Sequence, residues 1–224
     1  MKRNQSRCAG SGAVMLSVLT TVPALASALF ASSVSATPGS CTNLTTLQIP
    51  NTTITSAVYV PAGAGVPGYC DVSATVTPQT DVEVRLPDVW NNRYLHFGGG
   101  GFDGRIPNLN SPVMSSGNPL SQGFAVVGSN GGHRAASFPG ASFSTDKTFT
   151  LDYASGALQE TDLVGKAAVQ AYYGQPAKYR YFAGCSNGGK NASVAMAVLG
   201  DNYDGVLAGA VSYTHLTLPT KRIV

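Results

Sequence analysis

Charge is scarce in this sequence: Asp, Glu, Lys and Arg make up 11% of its 224 residues, against about 25% in an ordinary soluble domain. A charge-rich disordered chain and a coiled coil are excluded on that ground. Glycine and proline number 26 and 13, short of the ~25–30% of a low-complexity chain, and no collagen period orders them. Only three histidines and four cysteines occur, and no two cysteines stand close enough for a zinc knuckle. No repeat of 20–50 residues is present, which excludes a solenoid or propeller. What remains is a loop-rich globular chain, long enough to bury a core without staples.

Three of the 14 basic residues, Lys2, Arg3 and Arg7, precede an apolar run from about Ala13 to Val34, and Val34-Ser35-Ala36 is an Ala-x-Ala-like end. This is the layout of an export signal, so residues 1–36 are expected to be removed. Pro23 and the Ser and Thr residues in the run argue against a permanent membrane anchor. The remainder then carries 11 basic and 11 acidic residues. Zero net charge offers no basic surface for nucleic acid. The expected location is secreted or periplasmic, with no membrane association after cleavage. In that oxidising setting Cys41 and Cys70 are candidates to pair, and Cys185 is left odd.

Along the remaining chain, residues 37–80 read as β-rich and irregular. Asp81–Leu86 alternates polar and apolar residues, a half-buried strand. Arg93–Phe97 is the next strand, followed by Gly98–Gly101 and a polar, Pro- and Gly-rich loop over 103–122. Phe124–Gly128 reads as a buried strand, and 129–155 as a second loop. Leu158, Leu163, Ala167, Val169 and Tyr172 recur at helical spacing up to Gly174 and Pro176. A strand over Tyr179–Ala183, a helix ending near Gly200 and a strand opening at Asp204 complete the pattern. Strands alternating with helices predict a largely parallel sheet in an α/β fold.

The chemistry sits at two glycine-rich turns. Gly184-Cys185-Ser186-Asn187-Gly188 falls between a strand and a helix, as a nucleophile elbow requires. Glycines two residues either side of the serine remove the Cβ atoms that would clash in so tight a turn. In a chain this rich in glycine the pattern alone is weak, and its plain reading is an ordinary strand-to-helix turn. Its context raises it. Gly98–Gly101 follows an earlier strand, where such folds place one donor of an oxyanion hole. A phosphate cradle is the competing reading, but no Gly-Lys-Ser or Gly-Lys-Thr follows.

Together with Trp90–Leu95 before the glycines, Gly128–His133 around Asn130, Gly165–Ala168, Tyr172–Gly174 and Tyr203–Ala210, these motifs resemble the tannase/feruloyl esterase family, which also contains an MHET esterase. The likeness spans about Cys41 to Ala210. Cysteine immediately before the nucleophile is its most specific mark. The resemblance implies an α/β-hydrolase fold, Ser186 as nucleophile, and the N–H groups of Gly101 and Asn187 as the oxyanion hole. It further implies a Cys41–Cys70 disulfide, and for Cys185 a partner cysteine beside the catalytic histidine.

The departures are equally definite. The family places its catalytic Asp and His well beyond the elbow, with a calcium-binding lid between, and this sequence carries neither. The fold is therefore expected to be truncated after the strand that follows the elbow helix, with the lid domain absent. After Ser186 the acids are Asp201 and Asp204 and the one histidine is His215. Asp204 reads as a turn cap. His215 lies in residues 211–224, which have no period and read as a non-native tail. His96 reads as structural and His133 as a candidate lining residue. We expect no metal and no cofactor in this chain, the implied calcium belonging to the lid.

The reading is a serine carboxylesterase of feruloyl or galloyl type acting on a small aromatic ester, with residues 37–210 as the first part of its catalytic domain. This portion alone is expected to be inactive, since it lacks the catalytic Asp and His. A non-catalytic hydrolase-like binding protein, and a lipase or peptidase on the same fold, are the alternatives.

Overall fold

The computed structural model describes residues 38–112, 117–135 and 140–211. The expected signal over 1–36, and the expected tail from Ser212 onward with His215, lie outside them.

A short helix, α1 (Pro38–Thr42), leads into a meander of three strands: β1 (Thr52–Val60), β2 (Tyr69–Val76) and β3 (Thr80–Pro87). Alternation sets their faces. Cys70, Val72, Ala74 and Val76 are buried in β2, as are Val82, Val84 and Leu86 in β3, with less buried residues between them. Val72 lies opposite Val84 and Cys70 opposite Leu86, so one apolar face is continuous across both strands. Cys41 of α1 is disulfide-bonded to Cys70, with Cα atoms 5.5 Å apart, which fastens the first helix to the second strand.

Four further strands follow: β4 (Arg93–Phe97), β5 (Ala125–Ser129), β6 (Tyr179–Cys185) and β7 (Gly205–Gly209). The sheet runs β1-β2-β3-β5-β4-β6-β7. It is mixed, not largely parallel as expected. The three pairings from β1 to β5 are antiparallel, and the three from β5 to β7 are parallel. For β1–β2 and β2–β3 the physical reason is connection length: the meander is joined by turns too short for a crossover, which parallel neighbours need.

Helices α2 (Lys147–Leu151), α3 (Ala157–Tyr173) and α4 (Asn187–Leu199) complete the described elements. Residues 142–156, expected to be loop, are helical turns ending in a π-helical stretch over Asp152–Gly156. Asp146 starts α2, its carboxylate accepting from the N–H groups of Thr148 and Phe149, an N-cap legible in the sequence. In α3 the buried stripe is Leu158, Thr161, Val164, Ala168, Val169 and Tyr172. Leu163, expected on it, is exposed. Gly174 ends the helix in the left-handed region, φ 72°, as a C-cap glycine does.

One face of the sheet packs Val72, Val84, Tyr94, Val127 and Phe182 against α3 and α4. Trp90 stacks on Tyr173 with ring centroids 4.0 Å apart, and the Tyr173 hydroxyl donates to Pro87 O at 2.8 Å. The other face buries Leu95, Phe97, Val126 and Ala183 under Leu109 and Leu120 of the long loop. This packing brings the C-terminal ends of β4 and β6, and both glycine-rich turns, to one edge.

Candidate active site

Ser186 stands between the last residue of β6 and the first of α4, with φ 58° and ψ −119°. That conformation is uncommon for a residue with a side chain, and it persists only where the surroundings enforce it. The enforcement is visible. Ser186 N–H donates to Gly209 O at the end of β7, 3.0 Å away. A Cβ on Gly184 would lie 2.2 Å from Gly188 O, and a Cβ on Gly188 would lie 2.6 Å from Gly99 O. The turn therefore closes on itself and on the 98–101 loop, and only glycines permit it.

Gly98 N–H donates to Ala183 O at 2.8 Å, extending the β4–β6 pairing into the loop. Gly101 then turns in the left-handed region, φ 61°. Among the described residues, no backbone carbonyl takes the N–H of Gly101 or that of Asn187. The second belongs to the first turn of α4, where N–H groups have no partner within the helix and the dipole favours negative charge.

The side chain of Asn187 is buried, and its Oδ1 accepts from the Tyr153 hydroxyl at 2.8 Å. Tyr153 is also 3.7 Å, centroid to Nζ, from Lys190, which donates to the Tyr153 carbonyl at 3.2 Å. Burial lowers the Lys190 pKa, and the Asp103 charge partly opposes that. His133, buried, packs on Phe143 with centroids 4.1 Å apart, and both rings face Tyr153. His133 thus stands one aromatic ring from Asn187, and burial lowers its pKa. Tyr153 and Phe143 carried no signal in the sequence, because the contact depends on the π-helical stretch that aims Tyr153 inward.

The other candidates are placed as follows. His96 is fully buried in β4, its Nδ1 2.8 Å from the Tyr203 hydroxyl, and desolvation lowers its pKa to about 3. It belongs to the interior and not to the Ser186 turn. Asp204 bridges strands instead of capping a local turn: its Oδ2 accepts from Arg180 N–H at 2.7 Å. Cys185 is a free, exposed thiol. Asn130 accepts through Oδ1 from the N–H groups of Asp81 and Gly132 and donates to Gln79 O, which orders the turn carrying His133. Among the described residues no three His, Cys, Asp or Glu side chains are grouped to hold a metal. No hydrogen bond joins Ser186 Oγ to a histidine among the described residues.

Comparison with known proteins agrees with this architecture. The family profile described as tannase and feruloyl esterase matches residues 64–221. An uncharacterized esterase of Xanthomonas campestris is 36% identical over 211 residues, covering 87% of this chain and 35% of that protein. Mono(2-hydroxyethyl) terephthalate hydrolase of Piscinibacter sakaiensis is 29% identical over 169 residues, 68% of this chain and 28% of that one. The crystal structure of feruloyl esterase B from Aspergillus oryzae superposes with a TM-score of 0.66 at 28% identity, over 78% of this chain and 37% of that structure. The fold is that of an α/β-hydrolase, and the chain spans about a third of the length of the relatives it matches.

Proposed function

This chain belongs to the tannase and feruloyl esterase family, and from that premise we propose that it serves a serine carboxylesterase acting on aromatic-acid esters of feruloyl or galloyl type. The observation that carries the reading is Ser186, held at φ 58° between β6 and α4 with the glycine loop packed on its turn. Its Oγ attacks the ester carbonyl carbon, forming a C–O bond while the carbonyl electrons move to oxygen. The N–H groups of Gly101 and Asn187 donate to that oxyanion. Collapse expels the alcohol and leaves an acyl-serine, which water hydrolyses to the free acid. The general base is a histidine from outside the described residues, oriented by an acid likewise outside them. His96 and His133 are both buried in the interior, and neither is hydrogen-bonded to Ser186 Oγ.

Without that base the serine hydroxyl keeps its proton, and residues 38–211 retain at most ~10³–10⁴-fold catalysis over water from oxyanion donors and binding. The export reading is supported by the Cys41–Cys70 disulfide, a bond that persists in oxidising compartments. Among the described residues no helix is long and apolar enough to cross a membrane. The free Cys185 beside the nucleophile fits a disulfide to a cysteine near that histidine.

The test is acyl-enzyme trapping. The full-length protein, with the segment that carries its histidine, is incubated with 4-nitrophenyl ferulate and digested, and its peptides are weighed. A feruloyl adduct on the Ser186 peptide, absent from Ser186→Ala, is expected. An adduct elsewhere, or hydrolysis unchanged in Ser186→Ala, would overturn the reading. Binding of methyl ferulate without any adduct would favour a non-catalytic binding protein, a reading prompted by the absence of a histidine on Ser186 Oγ. Faster turnover of long-chain or peptide substrates than of ferulates would move the protein to the lipases or peptidases.

A further inference from the structure

Asp103 lies two residues past Gly101 and is 2% exposed, with φ 60°. The space it fills is made by two glycines from different loops. A Cβ on Gly99 would lie 1.8 Å from its Oδ1, and a Cβ on Gly131 would lie 2.6 Å from its Oδ2. Its backbone N–H donates to Gly100 O at 2.9 Å, closing the glycine loop on itself. Its Oδ2 accepts from Asn191 Nδ2 of α4 at 3.3 Å. Next along the chain, Gly104 N–H donates to Asn130 O at 2.7 Å. One buried side chain therefore meets the glycine loop, the turn after β5 and the elbow helix. Burial pushes the Asp103 carboxyl up, and Asn191, Lys190 and Asn187 pull it partly back. Asp103 Oδ1 and Asn187 Nδ2 are both buried with no geometric partner, an acceptor and a donor on opposite sides of the same junction.

A buried carboxylate is costly unless charges and donors surround it, and a hydrophobic residue of like volume would pack the same gap at lower cost. A polar group here instead specifies relative position, because hydrogen bonds to one atom have a narrow range of length and direction. We propose that Asp103 is a positioning residue, which fixes the 98–101 loop against the start of α4 so that the N–H groups of Gly101 and Asn187 address a single oxyanion. This rests on the reading of Ser186 as nucleophile and of those two N–H groups as its oxyanion hole.

The test uses a fluorophosphonate. Ser186 Oγ forms a bond to phosphorus, fluoride leaves, the hydroxyl proton passes to solvent, and the phosphoryl oxygen takes the oxyanion position. Labelling rate is followed by mass spectrometry, and amide hydrogen exchange is measured before and after labelling. In the wild-type full-length protein, with the segment that carries its histidine, labelling is expected to slow exchange in the peptides holding Gly101 and Asn187. Asp103→Ala is expected to label at least ~10-fold more slowly, short of the ~10²–10³-fold cost of deleting a donor outright. It should also lose the label-induced protection at Gly101 while keeping that at Asn187. Asp103→Asn, which keeps the volume and an acceptor for Asn191, is expected to restore most of both. Asn191→Ala attacks the same contact from the helix side, and should reproduce Asp103→Ala should that variant not fold. A purely structural role would lower the melting temperature without separating the two peptides, and that result overturns the proposal. So does wild-type labelling and protection in both Asp103→Ala and Asn191→Ala. Equal labelling of wild type and Ser186→Ala instead removes the nucleophile reading itself. Labelling of Ser186 with no protection in either wild-type peptide removes the oxyanion assignment, and the proposal with it.

Discussion

The hydroxyl of Tyr153 donates to Asn187 Oδ1 at 2.8 Å, linking a π-helical turn some thirty residues upstream to the residue that follows the proposed nucleophile. The bond fixes the orientation of the Asn187 side chain, while its N–H has no backbone acceptor among the described residues. Tyr153→Phe removes one neutral hydrogen bond, worth about 1 kcal/mol, and keeps the ring under Lys190. In the full-length protein, with the segment that carries its histidine, serine-dependent hydrolysis of an aryl ester is expected to fall by about 3–10-fold in kcat with KM little changed. An unchanged kcat would show that Asn187 is held by its backbone alone.

Gly188 and Gly200 offer a matched pair at the two ends of α4. An alanine methyl at Gly188 would lie 2.6 Å from Gly99 O, whereas nothing lies within 4 Å of one at Gly200. Gly188→Ala should force the glycine loop off the elbow and cost about 1–3 kcal/mol of stability, together with serine labelling. Gly200→Ala, at φ −49° and ψ −42°, should be neutral or stabilise by about 0.4–1 kcal/mol. Thermal melts of the two variants side by side check this.

Cys41→Ala with Cys70→Ala opens a loop of 29 residues and should lower stability by about 3–4 kcal/mol in the chain-entropy model. Mass mapping under non-reducing conditions first establishes the pair; two free thiols there would contradict the structure.

Asp71 sits against Glu83 and Arg85 on the meander. Desolvation, then the Glu83 charge, raise its pKa from 3.8 to about 6, with Arg85 opposing them. The folded carboxyl therefore keeps its proton to higher pH than the unfolded one, and stability is lost as pH climbs from about 4 to about 6. Asp71→Asn should be more stable than wild type at pH 8, by about 1–2 kcal/mol after allowing for partial exposure, and nearly equal to it at pH 4. Denaturant melts at both pH values measure the difference.

His96 works in the opposite direction. Folded, it stays neutral down to about pH 3, against 6.5 for an ordinary histidine. The unfolded chain binds that proton earlier, so stability is lost as pH falls below 6.5, by about 1.4 kcal/mol per unit until pH 3. His96→Asn loses packing on Phe182 and is less stable outright, but its stability should fall less steeply over pH 6.5–4. An identical slope in both proteins would exclude His96 as its source.

Local chemistry explains which parts were legible from the sequence. The alternation of Asp81–Leu86, the Gly174 stop and the glycines around Ser186 each record a short-range constraint, and the structure carries all three. The antiparallel pairing of β3 with β5 does not, because strand order depends on how long connections pack and leaves no mark on either strand. Leu163 fitted the helical period yet faces solvent, one step round α3 from the stripe that Val164 and Ala168 occupy. The Asp103–Asn191 contact joins residues 88 apart, and Asp103 in isolation reads as one more polar loop residue. Its two glycine walls were visible only as parts of turns.

The backbone of Ser186 has a consequence for anyone improving this protein. Non-glycine residues in such conformations cost of order 1–3 kcal/mol, and glycine at 186 would escape most of that. A directed-evolution campaign that ranks variants by heat tolerance alone would accordingly reward Ser186→Gly and discard the proposed nucleophile while its scores rose. Selection on this scaffold needs a functional gate at every round.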